Sequence, residues 1–305
     1  HTEKAYDVYA LLEKELIKNR VAIASKCTVK KIFKSGDSIS HVETNQGVIY
    51  GKSFVLATGG MSHPETGSTG DGFKFLADLG HKVRPATPTI VPLEVRDEWV
   101  KSLPGISLSF MKITFFSDGK KQFSKTGKIL FTHFGLSGPL VLNSSSKVAS
   151  LLEAGDVEAQ IDAFPDTNLG SLEQQVIKIF DANKNKMLRT AFKDIAPAGT
   201  SREIEKLLPD INFEEKVHSI TKEQRKKIVH LLKALPITIS NLMGYDRAVV
   251  ADGGVGLSEI DTKTMCSKKF MNLYITGDLL DINRPSGGFS LQLCWTTGFV
   301  AGTSA

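Results

Sequence analysis

Two stretches near the carboxyl end hold residue types that can act on a bound ligand. Asn272-Leu-Tyr-Ile-Thr-Gly277-Asp278 reads as a short apolar strand reaching a glycine and a carboxylate. Arg284-Pro-Ser-Gly287-Gly288-Phe289-Ser290 reads as a tight loop opening onto an apolar run that ends near Gly302. A carboxylate at a strand's carboxyl end, here Asp278, can accept hydrogen bonds from a sugar-like hydroxyl chain. Gly287 and Gly288 let backbone approach a flat ligand, and a helix beginning at Phe289 would aim unsatisfied N–H groups at negative charge. Arg284 suits an acidic substrate or an anionic ligand, with a surface role as the even alternative. His133, inside Thr132-His-Phe-Gly, is the first candidate for proton handling, because histidine titrates near neutral pH. A histidine bonding the following turn competes with that reading. His63, beside Pro64, is a further candidate. His41, His81, His218 and His230 show no paired spacing, so no metal site is expected. Neither a Ser-His-Asp logic nor a Walker-type lysine loop is present, which leaves hydrolase and NTPase chemistry with little support.

A second cluster lies early in the chain. Phe54-Val-Leu-Ala57-Thr58 runs as a strand into Gly59-Gly60, and the next loop carries Gly67, Gly70 and Gly72 around Ser68, Thr69 and Asp71. This donor-rich approach to a helix over Phe73 to Leu79 suits a phosphate or sugar edge. A plain N-cap by Asp71 or Thr69 explains it equally well.

The elements that must position these groups follow from periodicity. Ala5, Val8, Leu12 and Leu16 form a helical stripe widened by Leu11, and Val21 to Ala24 reads as a short buried strand. Val29 to Phe33 and Ser38 to Thr44 flank Lys34-Ser-Gly-Asp37, a hairpin turn, with Val48 to Tyr50 beyond it. From Ile90 to Phe116, Lys128 to Leu142 and Val157 to Ala163, short β-like runs predict a compact β domain. Between Ser171 and Leu235 the pattern turns helical, with Thr221 opening the last helix. The chain returns through Ile237 to Ile239 and Ala248 to Ala251 to Asp252-Gly-Gly, a glycine turn or a ligand contact. In the final helix, Leu291, Leu293, Trp295 and Phe299 are read as packing residues.

At 305 residues, two domains or one with a large insertion can bury a substantial core. The formal charge of +5 is dispersed over pairs such as Lys30-Lys31, Lys120-Lys121, Lys226-Lys227 and Lys268-Lys269. Dispersal argues against a nucleic-acid face, and no stretch approaches membrane-spanning length. Cys27, Cys266 and Cys294, far apart and odd in number, suit a reducing cytoplasm.

Ala57-Thr-Gly-Gly60, Thr69-Gly-Asp-Gly72, Gly253-Gly254-Val255 and Gly277-Asp278 to Gly287-Gly288 occur in that order, which resembles flavoproteins of the glutathione-reductase-like superfamily, including its fumarate reductase branch. More closely, Phe131-Thr-His-Phe-Gly-Leu-Ser-Gly-Pro139 and Thr264-Met-Cys-Ser267 resemble a bacterial NAD(P)/FAD-dependent oxidoreductase family of aminoacetone-oxidase-type and bile-acid-pathway flavoproteins. The likeness covers essentially the whole chain.

It implies an α/β chain in which an FAD/NAD(P)-binding Rossmann-like domain lacks its first βαβ unit and carries an inserted β-barrel-like domain with a small helical subdomain. The expected division is 1–90 and 253–305 for the FAD-binding domain, 91–165 and 236–252 for the β domain, and 166–235 for the helical part. Asp278 would accept ribityl hydroxyls. Gly277 would contact the cofactor, and Gly287, Gly288, Phe289 and Ser290 would lie near the isoalloxazine. Val29, Ala57, Thr58, Gly59 and Gly60 would approach the ADP half, and Gly70 and Asp71 would serve the same ligand. The family's G-x-G-x-x-G has no counterpart in these residues, so the phosphate loop is expected upstream of His1, and these residues alone would hold FAD weakly or not at all. Asp278 stands where many relatives have glutamate, and Arg284 where many are neutral. The implied function is an FAD-dependent oxidoreductase, cytoplasmic, moving a hydride between flavin and a small-molecule substrate, with NAD(P)H as a donor or oxygen as an acceptor. A non-catalytic remnant that binds a ligand or partner is the alternative.

Overall fold

The computed structural model describes residues 4–305, so residues 1–3 of the expected first unit lie outside the described span. The chain opens with α1 (Ala5–Lys18), then an antiparallel meander of β1 (Val29–Ser35), β2 (Ser38–Thr44) and β3 (Gly47–Tyr50). The predicted hairpin turn is where the sequence puts it, with Gly36 at φ +58 reversing the chain. β4 (Phe54–Leu56), α2 (Asp71–Asp78) and β5 (Val83–Thr89) lead out of this half.

The insertion follows as β6 (Leu93–Val95), α3 (Glu98–Lys101), β7 (Ser107–Ser117), β8 (Lys120–Phe131), β9 (Gly135–Ser137), α4 (Pro139–Leu142), α5 (Ser145–Ala154) and β10 (Val157–Asp162). Next come α6 (Leu169–Ala182), α7 (Leu188–Phe192), α8 (Ser201–Glu205), α9 (Lys222–Lys233) and β11 (Leu235–Leu242). β12 (Val250–Val255), β13 (Ile260–Asp261), β14 (Cys266–Ser267), β15 (Leu273–Ile275) and α10 (Phe289–Ser304) complete the chain.

Strands close into a barrel in the order β10-β11-β6-β9-β8-β7. Alternation along β10 and β11 sends Val157, Ala159, Ile161, Leu235, Ile237 and Ile239 inward, where they meet Phe115, Ile129 and Phe131. Gly135 is obligatory there: a Cβ would strike the backbone of Leu93 and Val95 on the neighbouring strand. The helical part packs onto this same core through Leu172 and Val176 of α6 and Ile228 and Leu232 of α9. Thr221 begins α9 with a reciprocal capping box to Gln224. β5 and β12 form an antiparallel ribbon joining the barrel to the flavin-like half. In that half, β13-β14-β15-β4 make one sheet in which β15 and β4 run parallel.

Three expectations change. Val21 to Ala24 is exposed and forms no strand, because no described strand offers its backbone groups a partner. The helix α5, with Val148 buried, lies where no helix was anticipated between two β runs. In α10, Trp295 and Phe299 are 59% and 73% exposed while Thr297 and Ala301 are buried. A helix that is apolar nearly all round has no periodicity to select its packed side; here small residues face the protein so that backbone can approach. Among the described residues no helix is long and apolar enough to cross a membrane.

Candidate functional site

Because β4 and β15 are parallel neighbours, their carboxyl ends leave the sheet side by side. Gly59-Gly60 leaves from one and Gly277-Asp278 from the other. A Cβ on Gly60 would lie 3.3 Å from that of Asp278, so the two corners are in van der Waals contact. Gly277, at φ +62, donates its N–H to Thr297 Oγ1 at 2.9 Å and presses the corner onto α10. A Cβ there would meet Cys294 Sγ at 3.2 Å. Burial, and then the charge of Asp278, push the Cys294 thiol up, which makes it a poor nucleophile.

Arg284 is only 8% exposed and joins three parts of this corner. Its Nε donates to Ser290 Oγ at 2.9 Å, its Nη1 to the Ile282 carbonyl at 2.6 Å, and its Nη2 to Asp278 Oδ1. The structure therefore places Arg284 beneath the loop, as a fastener between Asp278 and the first turn of α10, and not at the surface. Burial pushes the Asp278 carboxyl above its ordinary value, and Arg284 draws it part of the way back. Gly288 begins α10 in the left-handed region at φ +89, and no side chain caps the helix start. A Cβ on Gly288 would meet nothing within 4 Å, so the corner at which α10 begins is uncrowded.

On the early side, α2 packs against the end of β4: a Cβ on Gly72 would strike Thr58 Oγ1 and Leu279. Gly70 is the N-cap, at φ +84, while Thr69 Oγ1 donates to Asp71 Oδ2 at 2.8 Å. Neither Thr69 nor Asp71 caps the helix, which removes the plain-cap explanation of that pair. Val29 opens the meander opposite Thr44 and is half-buried. Ala57 and Thr58 are exposed just before the glycine corner. His63 lies three residues beyond that corner, with Nδ1 2.9 Å from Glu65 Oε1 and its N–H donating to the Tyr245 carbonyl at 3.0 Å.

His133 is elsewhere. It is exposed on the β8–β9 turn, edge-on to Phe134 with ring centroids 5.0 Å apart. Thr132, not His133, ties that turn, through its N–H and hydroxyl to the Gly135 carbonyl. The turn meets the barrel at Val95, the end of β6 away from the ribbon.

Three contributors escaped the sequence reading. Asn272 binds the meander to β15 by exchanging two hydrogen bonds with the Ile39 backbone at 2.8 and 2.9 Å. Thr297 and Ser62 also escaped it. Ser62 Oγ is buried without a hydrogen-bond partner among the described residues. Single polar residues inside apolar or loop segments carry no periodic signal.

Residues 1–304 match the family model described as HI0933-like protein Rossmann domain. The 3-dehydro-bile acid delta(4,6)-reductase of Clostridium scindens is 27% identical, the match covering 100% of this chain and 74% of that protein. The ribosomal RNA dihydrouridine synthase of Haemophilus influenzae is 27% identical over 99% of this chain and 73% of its own. That of Escherichia coli is 24% identical over 97% and 71%.

Proposed function

The chain belongs to the HI0933-like Rossmann-domain family of FAD-binding oxidoreductases, and from that premise we propose that it is a flavin-dependent reductase of carbon–carbon double bonds conjugated to a carbonyl. The single observation that carries the reading is the contact of the Gly60 and Asp278 corners beside the uncapped start of α10. The names of the relatives supply the substrate class. A 3-dehydro-bile acid with Δ4,6 unsaturation and the uracil ring of uridine both hold an alkene conjugated to a carbonyl.

The residues present fit the flavin half of FAD. Ser62 Oγ, two positions past the corner, is a buried hydroxyl in want of a partner, and the space beyond Gly288 is open. Asp278 would hold ribityl hydroxyls through the oxygen that Arg284 leaves free. The N–H groups of Phe289 and Ser290, with Gly287 and Gly288 giving access, would stabilise negative charge on the ring's pyrimidine side. Ala57, Thr58, Gly59 and Gly60, with Val29, Gly70 and Asp71, would border the ADP half. When bound, the flavin supplies the hydride, charged by NADH or NADPH. Of the two candidate histidines, His63 follows the glycine corner while His133 lies at the far rim of the barrel, which favours His63 as the side chain that faces substrate.

We favour a small-molecule enone over RNA. The lysine pairs sit on β1, β8, α9 and the segment after β14, four separate places and not one basic face. The experiment adds FAD to the purified chain, reduces it with NADPH without oxygen, and follows reoxidation by a 3-oxo-4,6-diene steroid or by uridine-containing ribosomal RNA. Reoxidation by the steroid supports the proposal. Reoxidation by RNA alone would overturn the substrate half, and flavin that is bound and reduced yet reoxidised by neither acceptor would overturn the whole.

A further inference from the structure

Hydride addition to an enone puts negative charge on the carbonyl oxygen, so a reductase of this class needs hydrogen-bond donors there and an acid for the adjacent carbon. In the flavin-side corner the one guanidinium, Arg284, is committed to Asp278, Ile282 and Ser290. The barrel, however, reaches the same loop. Ser286 N–H donates to Asn143 Oδ1 at 2.9 Å, across 143 positions of sequence. Asn143 ends α4, and its own carbonyl accepts from Lys125 Nζ on β8 at 2.6 Å. The bond to Ser286 settles which way the amide faces: Oδ1 is taken by the loop, and the Nδ2 hydrogens are turned away from it as exposed donors.

Resting on the enone-reductase reading above, we propose that Asn143 and Lys125 form the substrate-carbonyl end of the site, Asn143 Nδ2 and the Lys125 ammonium together holding the carbonyl oxygen beside the flavin loop. With flavin bound as the hydride donor, hydride delivered to the β-carbon would break its π bond. The electron pair moves to the oxygen held by Asn143 and Lys125, and the Lys125 ammonium returns a proton to the α-carbon. The product is the saturated ketone, the flavin is left oxidised, and Lys125 is reprotonated from water. Support comes from the surroundings of Lys125. It is half-buried on the barrel wall, and burial, then the charge of Lys147 on α5, hold its ammonium below the usual lysine range, which makes it a readier acid.

Asn143→Asp and Asn143→Leu separate the roles. Asp keeps an oxygen for Ser286 but loses the donor; Leu loses both. A carbonyl-binding role predicts that both variants, and Lys125→Met, lose about 10²-fold in kcat/KM. All three should also lose binding of a phenol, an enolate mimic, read from the perturbed flavin spectrum, with the melting temperature as the folding control. The alkaline fall of the wild-type rate, where Lys125 deprotonates, should be missing in Lys125→Met. If Asn143→Asp keeps both rate and phenol binding, Asn143 merely positions the loop and the proposal is wrong. If the wild-type flavin is reduced and reoxidised by enone yet Lys125→Met matches it, only this inference fails. A wild type with no enone reaction defeats the functional reading instead.

Discussion

The inserted barrel and the flavin-side half are built to different standards of closure. The six barrel strands close into a ring, each hydrogen-bonded to two neighbours, and one continuous core joins the barrel to α6 and α9. The flavin-side half has a smaller core, centred on Leu76, Leu273, Ile275 and Leu279. Its strand β4 ends the sheet, and the apolar residues of α1 and the outer side of α10 are exposed. Folding stability is therefore concentrated in the insertion, while the proposed flavin contacts lie where the structure is more open. Separating the two would let glycine corners and an uncapped helix start meet a ligand without weakening the core that holds the molecule together.

The contrast can be broken by mutation. Phe131→Ala, in the barrel wall, should cost about 3–5 kcal/mol and lower the melting temperature by more than truncation of exposed Phe299. Equal effects would show that stability is not concentrated in the barrel. Asp278→Asn should be milder for folding, yet it removes a charge-assisted hydrogen bond worth roughly 1.5–3 kcal/mol and should weaken FAD retention, measured by fluorescence titration. Unchanged retention would take Asp278 out of the site.

An acid-side loss of stability should come from the flavin-side half. His81 is buried, with Nδ1 2.6 Å from Glu259 Oε2 and Nε2 3.1 Å from Ser267 Oγ. Ser267 Oγ also accepts the N–H groups of Lys269 and Phe270. Both its lone pairs are thus engaged, and its proton is donated to a neutral His81. Burial lowers the His81 pKa, against the pull of Glu259, and the charge of Lys269 lowers it further. Burial pushes Glu259 up, but its bonds to His81 and Lys82 and the charge of Lys269 outweigh that. A depressed histidine pKa means the network is fully stabilising above about pH 6.5 and weakens as pH falls below that. Urea midpoints should drop between pH 7.5 and 5.5 in the wild type and less in His81→Gln; equal drops would exclude His81 as the source. The smallest change is expected from Thr221→Ala, which removes the α9 cap at a cost of about 1 kcal/mol, with FAD binding untouched.

Legibility in the sequence followed locality. The β1–β2 hairpin, the α9 cap and the glycine opening of α10 each depend on residues a few positions apart, and each was readable. The fate of Arg284 was not, because its burial depends on Asp278, Ile282 and Ser290 converging in space. Nor was the separation of His133 from the glycine corners, which only barrel closure sets. The α1 stripe predicted a helix correctly but not its exposure, since periodicity reports a face and not what covers it.

By itself, then, the order of residues determined the periodic elements, the turns that demand glycine, and the likeness to flavoproteins. Tertiary structure alone decided that Gly60 touches Asp278, that Arg284 lies beneath the loop, and that Asn143 of the barrel reaches Ser286. Local conformation is settled by neighbours along the chain, whereas a site is settled by parallel pairing and packing between segments hundreds of residues apart, and no short-range pattern encodes those distances.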